Sequence, residues 1–222
     1  MKKLLIASGV ILSLAIAAPS FAAINAGAYV GLGAGIGGMD TPELPANLKG
    51  PNYSENIGGG AGRIYAGYLL KLASVPSLMY GVETGYTKYS NNKYYINDGL
   101  GNNLHWKYSG YNADLLGVVK YTFVKGFNAF VKGGAAYTGQ KVTMNGSVKH
   151  TNVGTQSKAR TKVLPKVELG AGYDFTEHFG VSTSYSHIFG NKPRQLDKTA
   201  SMKGLGNVAT VNTLLVNAEY HF

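Results

Sequence analysis

Eight stretches of this chain alternate, residue by residue, between apolar side chains and polar or very small ones. Successive side chains of a β-strand point to opposite faces, so each stretch predicts a strand with one apolar and one polar face. A slip of one residue would exchange the two faces of a whole strand, and the pattern therefore also predicts which way each side chain points. The stretches are residues 26–38, 60–71, 79–90, 108–123, 127–141, 162–175, 179–189 and 211–222.

Such strands occur both in transmembrane barrels and in soluble sandwiches or barrels, and the last stretch, residues 211–222, fits either fold. Leu214, Val216, Ala218, Tyr220 and Phe222 share one face, and the residues between them are mostly polar. In a transmembrane barrel the apolar face would meet lipid and the polar face would line the lumen. In a soluble sandwich or barrel the apolar face would instead lie in the core.

The connections between the stretches separate these two folds. Short links at residues 72–78, 124–126 and 176–178 alternate with long polar links. Short turns at one rim and long loops at the other are typical of outer-membrane barrels, whereas a sandwich has no reason to keep its long loops at one end. We therefore predict an all-β fold: an eight-stranded antiparallel up-and-down transmembrane β-barrel with short periplasmic turns and four long extracellular loops.

The start of the chain predicts export. Lys2 and Lys3 precede an apolar run over residues 4–18, and Ser20-Phe21-Ala22 has the small-x-small pattern of a cleavage site. We expect residues 1–22 to be a cleaved signal peptide and residues 23–222 to form the barrel domain in the outer membrane. The chain has no Cys, so the exported domain forgoes disulfides.

Charged residues occupy the predicted lumen face of several strands. An eight-stranded barrel has room inside only for side chains, so these groups must pair or find water. They would form either an ion pathway or a salt-bridged polar core, and the narrow bore favours the core. Interior glycines of the first strand would leave room for long basic side chains. The predicted lumen residues are Arg63, Glu83, Asp114, Lys120, Lys132, Lys166, Glu168 and Glu219.

Outward-facing aromatic residues fall into two groups, one near each edge of the predicted barrel. Aromatic rings favour membrane interfaces, where one end of the ring is apolar and the other is wet. We place Tyr68, Tyr80, Tyr121, Phe123, Phe175, Phe179, Tyr220 and Phe222 near the periplasmic edge, and Tyr86, Tyr111, Tyr137, Tyr185 and Phe189 near the outer edge.

The strand pattern and the C-terminal Tyr220-His221-Phe222 resemble the small outer-membrane β-barrels, the family of the OmpA-like transmembrane domain and the opacity proteins. The resemblance covers essentially all of residues 23–222. It implies that the outer-membrane assembly machinery reads Tyr220 and Phe222 as a C-terminal signal. We expect no wall-binding domain after Phe222, so the resemblance does not imply the wall-anchoring role of longer relatives. It is specific for the fold and uninformative about activity.

Enzymatic sites are not predicted. Residues 33–38 fit G-x-G-x-x-G, but a proline-containing stretch follows them where a dinucleotide site needs a helix. Ser186 and His187 are neighbours on a strand and would face opposite sides, so they cannot share a proton. Five His residues lack the spacing of metal ligands. We expect no catalytic, cofactor-binding or metal site, and a lipid-modifying barrel enzyme is the least favoured reading.

Two of the predicted loops are basic. Residues 141–162 contain no acid and residues 190–207 contain one, Asp197. Above a phosphate-rich outer leaflet such loops would attract lipopolysaccharide or anionic host polymers. Alternatively, they are solvated loops that tolerate charge. Within the first of them, Asn145-Gly146 suggests a turn, and with it that the fifth strand projects beyond the membrane as a hairpin. The basic residues are Lys141, Lys149, Lys158, Arg160, Lys162, Lys192, Arg194, Lys198 and Lys203.

We therefore expect a structural or surface-interaction role, either adhesion or lipopolysaccharide contact through the basic loops. A small porin-like channel or conduit for small solutes is the alternative. The expected partners are outer-membrane lipids, lipopolysaccharide, the outer-membrane assembly machinery and an anionic or host polymer. We expect a monomer that binds no nucleic acid and needs no cofactor.

Overall fold

The computed structural model describes residues 26–40, 54–56, 59–97, 103–123, 126–148, 151–191 and 207–222. The predicted signal peptide lies outside the described residues. Among the described residues, no helix has the length and apolar character needed to cross a membrane.

The described residues form ten strands. They are β1 Gly27–Met39, β2 Ser54–Asn56, β3 Gly60–Leu72, β4 Val75–Tyr89, β5 Asn92–Asn97, β6 Asn103–Thr122, β7 Phe127–Val148, β8 Thr151–Asp174, β9 Phe179–Ile188 and β10 Val211–His221.

Eight of these strands close into an antiparallel up-and-down barrel, as predicted. The ring runs β1, β3, β4, β6, β7, β8, β9 and β10, and the last strand pairs with the first. Leu32 of β1, for example, lies opposite Ile64 of β3 and Ala218 of β10. The two short strands are additions to the prediction: β5 pairs with the outer part of β6, and β2 pairs with β5.

The barrel is apolar outside, and polar and charged side chains line much of its interior. In β10, Leu214 is 44% exposed and Phe222, just after the strand, is 67% exposed, whereas the alternate residues Thr213, Asn217 and Glu219 are buried. The same alternation holds along the other barrel strands in the directions predicted from the sequence. This arrangement inverts that of a soluble barrel and suits a wall that faces hydrocarbon.

Short connections join the strands at one end, which we call the periplasmic end, and the opposite end is the extracellular end. In the link between β6 and β7, Gly126 has a φ of 83°, and the Phe123 N–H donates to the Phe127 carbonyl at 2.7 Å. A residue with a side chain would be strained there, so the tight turn depends on glycine.

One long connection differs from the prediction. Residues 141–148 and 151–162 belong to the outer parts of β7 and β8 and not to a loop. The register shifts between Asn145 and Ser147, which marks a bulge where the Asn-Gly pair had suggested a turn. A barrel strand needs about 9–11 residues to cross a membrane, so these strands of 22 and 24 residues project well beyond it.

Candidate functional site

The charged residues predicted for the lumen all lie inside the barrel, and none is more than 8% exposed. Each stands on the interior face of its strand because the alternation of that strand places it there. They are Arg63, Glu83, Asp114, Lys120, Lys132, Lys166, Glu168 and Glu219.

Six of these side chains form a closed ring of alternating charge across the lumen, which we call the ion-pair ring. Arg63 donates to both carboxylate oxygens of Asp114, at 2.6 and 2.8 Å, and to Glu83 at 3.0 Å. The ring is completed by Lys132 with Glu83 at 2.8 Å and Glu168 at 3.3 Å, and by Lys166 with Asp114 at 2.8 Å and Glu168 at 3.5 Å.

The ion-pair ring is neutral as a unit, since its three cations face three carboxylates. Its members come from β3, β4, β6, β7 and β8, so the contacts tie five barrel strands together across the lumen. Buried charges are costly to desolvate, and that cost is offset only where partners and hydrogen bonds are well placed. Each carboxylate here contacts two cations, and each cation contacts two carboxylates.

A second polar cluster lies nearer the periplasmic end. Lys120 Nζ is 3.3 Å from Asp174 Oδ1 and 3.8 Å from Glu219 Oε2. The Tyr65 hydroxyl donates to Glu219 at 3.0 Å, and His221 Nε2 lies 3.5 Å from the same carboxylate. Asp174, Tyr65 and His221 were missing from the predicted site residues. The alternation places them on the interior face, so considering the whole face would have found them.

Tyr29 connects the two clusters. Its hydroxyl donates to Glu83 of the ion-pair ring at 2.8 Å, and its ring stacks on His221 with the centroids 5.1 Å apart. It was also missing from the predicted site residues, although the alternation of β1 places it inside. Polar contacts therefore run from the middle of the lumen to the periplasmic end.

Interior glycines make room for large neighbouring side chains. The Tyr65 ring occupies the space beside Gly31, and the Asn217 amide occupies the space beside Gly33. The side chains directly beside these two glycines are therefore an aromatic ring and an amide, not basic groups. The Arg63 guanidinium lies instead against Gly85 of β4, where any Cβ would collide with it. A glycine at that position allows the guanidinium to pass β4 and reach Asp114.

The extracellular end of the lumen is filled by apolar side chains. Tyr89, Tyr108, Ile188 and Leu215 belong to one buried cluster. Residues 208–210, which lead into β10 and which we call the cap segment, are packed with it, and Val208 and Ala209 are each 1% exposed. Nothing in the sequence analysis predicted this cap, because the segment is too short to show a period.

Hydrogen bonds hold the cap segment in place. The Gln140 side chain donates through Nε2 to the Ala209 carbonyl at 3.0 Å and accepts through Oε1 from the Ala209 N–H at 2.9 Å. The Asn191 N–H donates to the Val208 carbonyl at 3.0 Å, and the Asp40 N–H donates to the Thr210 carbonyl at 2.8 Å. The described part of the lumen is thus occupied at three levels: a polar periplasmic cluster, the ion-pair ring, and an apolar layer under the cap.

The predicted basic surface lies only partly in the described residues. Lys141 is on β7, and Lys158, Arg160 and Lys162 are on β8, so these four are strand residues rather than loop residues. All of them are exposed except Lys158, which is half-buried. Strand structure gives them fixed directions, which a loop would not. Lys149, Lys192, Arg194, Lys198 and Lys203 lie outside the described residues.

Three further basic residues are exposed at this end and were not among the predicted site residues. Lys88 is on β4, Lys93 on β5 and Lys107 on β6, and the last two are cross-strand partners. Lys88 lies near the end of the predicted strand 79–90, whereas Lys93 and Lys107 lie in the long polar link that was predicted to follow it. Only the observed pairing of β5 with β6 brings Lys93 beside Lys107.

The sequence matches to enzyme motifs do not assemble into a site. Residues 33–38 lie within β1. Ser186 is buried and shares a hydrogen bond of 2.5 Å with Thr213, whereas His187 is on the other face of β9 and contacts Asn212 at 2.7 Å. In the part of the chain that the structure describes, no group of three or more His, Asp or Glu side chains is arranged to hold a metal ion.

The predicted C-terminal signal lies on the outer wall at the periplasmic end. The Tyr220 ring packs edge-on against Phe179 and Phe222, with both centroid distances 5.1 Å. Phe222 is 67% exposed, and its N–H donates to the Ala28 carbonyl at 3.0 Å. This last bond belongs to the seam where the final strand meets the first.

Comparison with known proteins gives a family and several structural likenesses. The family model described as "Outer membrane protein beta-barrel domain" matches residues 8–222. An uncharacterized protein of Coxiella burnetii is 31% identical over 97 residues, and the match spans 36% of this chain and 37% of the length of that relative.

Two solved structures illustrate the structural likeness. Ail, the attachment invasion locus protein of Yersinia pestis, is 14% identical with a TM-score of 0.46, and the alignment covers 90% of this chain and 100% of that one. The outer membrane protein OprG from Pseudomonas aeruginosa is 13% identical with a TM-score of 0.41, covering 90% and 98% of the two chains.

Proposed function

Since this chain belongs to the family of outer membrane protein beta-barrel domains and lies in the outer membrane, we propose that it acts at the cell surface and not as a channel. In this role its basic extracellular strands bind anionic groups outside the membrane. The ligands that such a basic surface would bind are the phosphates of lipopolysaccharide or an anionic polymer of a host.

The observation that carries this proposal is the filled lumen. Eight strands leave an interior just wide enough for side chains. Here the ion-pair ring and the apolar layer under the cap segment occupy that interior in succession. A hydrated solute would have to break several buried ion pairs and also displace an apolar layer, which makes the channel alternative the weaker one.

The position of the basic residues supports a binding role. Lys158, Arg160 and Lys162 follow one another at two-residue spacing along β8, so they share one face of the projecting hairpin. The range 141–162 contains no acidic residue that would neutralise this face locally. A fixed row of cations beyond the membrane attracts polyanions and raises their association rate.

Binding to dextran sulfate tests the proposal. Replacing Lys158, Arg160 and Lys162 together by Gln should weaken the binding of the refolded barrel at least about tenfold at low salt, because each charge on this face contributes to the local field. Lys71→Gln is the matched control, since Lys71 is an exposed lysine at the periplasmic end of β3. Equal affinities of the triple variant and the control would refute the proposal.

Planar-bilayer conductance tests the channel alternative. The reconstituted barrel should show no steady open state with potassium chloride on both sides of the bilayer. Steady openings that disappear when the protein is heat-denatured would favour transport over surface binding.

A further inference from the structure

A groove of about 240 Å³ opens on the outer wall of the barrel. One cross-strand row supplies much of its lining: Lys88 on β4 lies opposite Tyr111 on β6, which lies opposite Gly139 on β7, which lies opposite Thr161 on β8. The next row toward the extracellular end adds Ser109, Lys141 and Ala159. None of the described residues that line the groove is acidic.

The floor of the groove depends on Gly139. A Cβ at this position would lie 2.6 Å from the Tyr111 ring, so only glycine allows the ring to extend over β7. Lys88 Nζ stands over the same ring, 5.8 Å from its centroid. Lys141 flanks the other side of the floor, and its carbonyl accepts a hydrogen bond from Ser109 at 3.4 Å.

The two lysines can reach one ligand. Neighbouring strands are about 4.8 Å apart, so β4 and β7, with β6 between them, lie about 10 Å apart. Each lysine carries its ammonium group on a flexible four-carbon stem, and both stems start on the lipid-facing side of the wall. A single anionic group above Tyr111 and Gly139 is within range of both ammonium groups.

The height of the groove points to the membrane surface. Tyr86, one step inward from Lys88 on the same face of β4, stacks on Tyr111 with the centroids 5.8 Å apart, and Tyr137 stands one step inward from Gly139 on β7. Tyr86 and Tyr137 are 41% and 48% exposed on the outer wall. Aromatic rings in such positions mark the membrane interface, so Lys88 and Lys141 lie at the level of the lipid headgroups.

We propose that this groove binds the phosphorylated sugar headgroup of a glycolipid in the outer leaflet. Lys88 and Lys141 neutralise the phosphate, the Tyr111 ring packs against the sugar, and the Thr161 and Ser109 hydroxyls provide hydrogen bonds. The groove is smaller than the roughly 300–1,000 Å³ of pockets for drug-sized ligands, which suits a headgroup rather than a whole lipid. The inference rests on the proposed function and adds to it a defined site and a ligand class.

Native mass spectrometry of the barrel in detergent with added bisphosphorylated lipid A tests the site. The wild type should hold one lipid A, and Lys88→Gln and Lys141→Gln should each weaken binding at least about fivefold, since each removes one charged partner. Lys71→Gln is the matched control, because it removes the same charge from an exposed position at the periplasmic end of β3, outside the groove. An equal loss in Lys71→Gln would overturn the site and leave only general electrostatic attraction.

Further probes separate the ligand sources. Dephosphorylated lipid A should bind at least about fivefold more weakly than the bisphosphorylated form, and inorganic phosphate should not compete at millimolar concentration. Competition by inorganic phosphate would show a free-anion site and would overturn the headgroup assignment. Lys88→Gln should leave dextran sulfate binding within about twofold of the wild type. Failure of the groove and failure of the proposed function are therefore distinguishable.

A variant that keeps every charge tests the shape of the groove. Gly139→Ala should displace the Tyr111 ring into the groove and reduce lipid A binding at least about fivefold. The heat-dependent mobility shift on gels shows whether Gly139→Ala folds. If it does not fold, Tyr111→Leu tests the contribution of the Tyr111 ring without crowding β7. Unchanged lipid A binding in the folded variant would overturn the proposal.

Discussion

Lysine is used in two opposite ways in this barrel. Lys132 and Lys166 are buried in the ion-pair ring, and each contacts two carboxylates. Lys88 and Lys141 stand exposed on the outer wall, beside an aromatic ring and hydroxyl groups. The comparison shows that the charge of a residue does not define its role, because the same ammonium group stabilises the fold inside and is available to ligands outside.

The physical difference is the solvent. Inside, each charge has lost its water, so removing one partner leaves the other uncompensated at a large cost. Outside, each charge keeps its water and is screened by salt, so its removal changes stability little. Interior variants should therefore change the free energy of unfolding, and outer-wall variants should change binding.

The largest effect on stability is expected for Arg63→Ala. This change leaves Asp114 with Lys166 alone and Glu83 with Lys132 and Tyr29, and it empties the space beside Gly85. We expect a loss of about 3–5 kcal/mol in the free energy of unfolding. Urea unfolding in lipid vesicles, followed by circular dichroism, measures it. Lys141→Ala is the exposed counterpart and should lose less than about 0.5 kcal/mol; similar losses in the two variants would contradict the distinction.

A smaller effect is expected for Lys120→Met at the periplasmic cluster. The change keeps the apolar stem but leaves Asp174 and Glu219 without their shared cation. Its contacts of 3.3 and 3.8 Å are longer than most of those in the ring, so we expect a loss of about 1–3 kcal/mol by the same unfolding measurement. A loss as large as that of Arg63→Ala would mean that the two clusters act as one unit.

The cap segment should contribute less again. Gln140→Ala removes both hydrogen bonds to Ala209 and leaves a buried N–H and carbonyl without that partner, which should cost about 1–2 kcal/mol. Hydrogen exchange at Ala209 and protease cleavage near residue 208 should accelerate. Conductance should stay silent because the ion-pair ring still fills the lumen below. Channel activity in Gln140→Ala would show that the cap alone closes the barrel.

The sequence predicted the wall of the barrel better than the contacts inside it. Period-two alternation is a local property, so it placed Arg63 and Asp114 in the lumen without knowledge of the fold. It could not pair them, because Arg63 lies opposite Thr87 on the adjacent strand and crosses to Asp114 on β6. Such contacts depend on strand stagger and on space beside Gly85, neither of which a single strand reveals.

The length of the projecting hairpin was not predicted, for a different reason. Residues 141–162 carry Lys, Asn, Ser and Gly, which indicate a loop when considered by type. The same range contains Val and Thr residues that favour strands, and β7 and β8 pair through most of it. Pairing with a long neighbour overrides weak local preference, so the groove, which needs Gly139, Lys141 and Thr161 side by side, could not be foreseen from the sequence.

Salt provides the most sensitive test of the difference between buried and exposed charges, with the smallest expected change in stability. Between 50 and 500 mM sodium chloride, the stability difference between wild type and Arg63→Ala should change by less than about 0.5 kcal/mol, because buried pairs are poorly screened. Over the same range, binding of the wild type to dextran sulfate should fall steeply, since exposed charges act through water. If the stability difference also fell with salt, water and ions would have access to the ion-pair ring, and the filled lumen that argues against a channel would have to be abandoned.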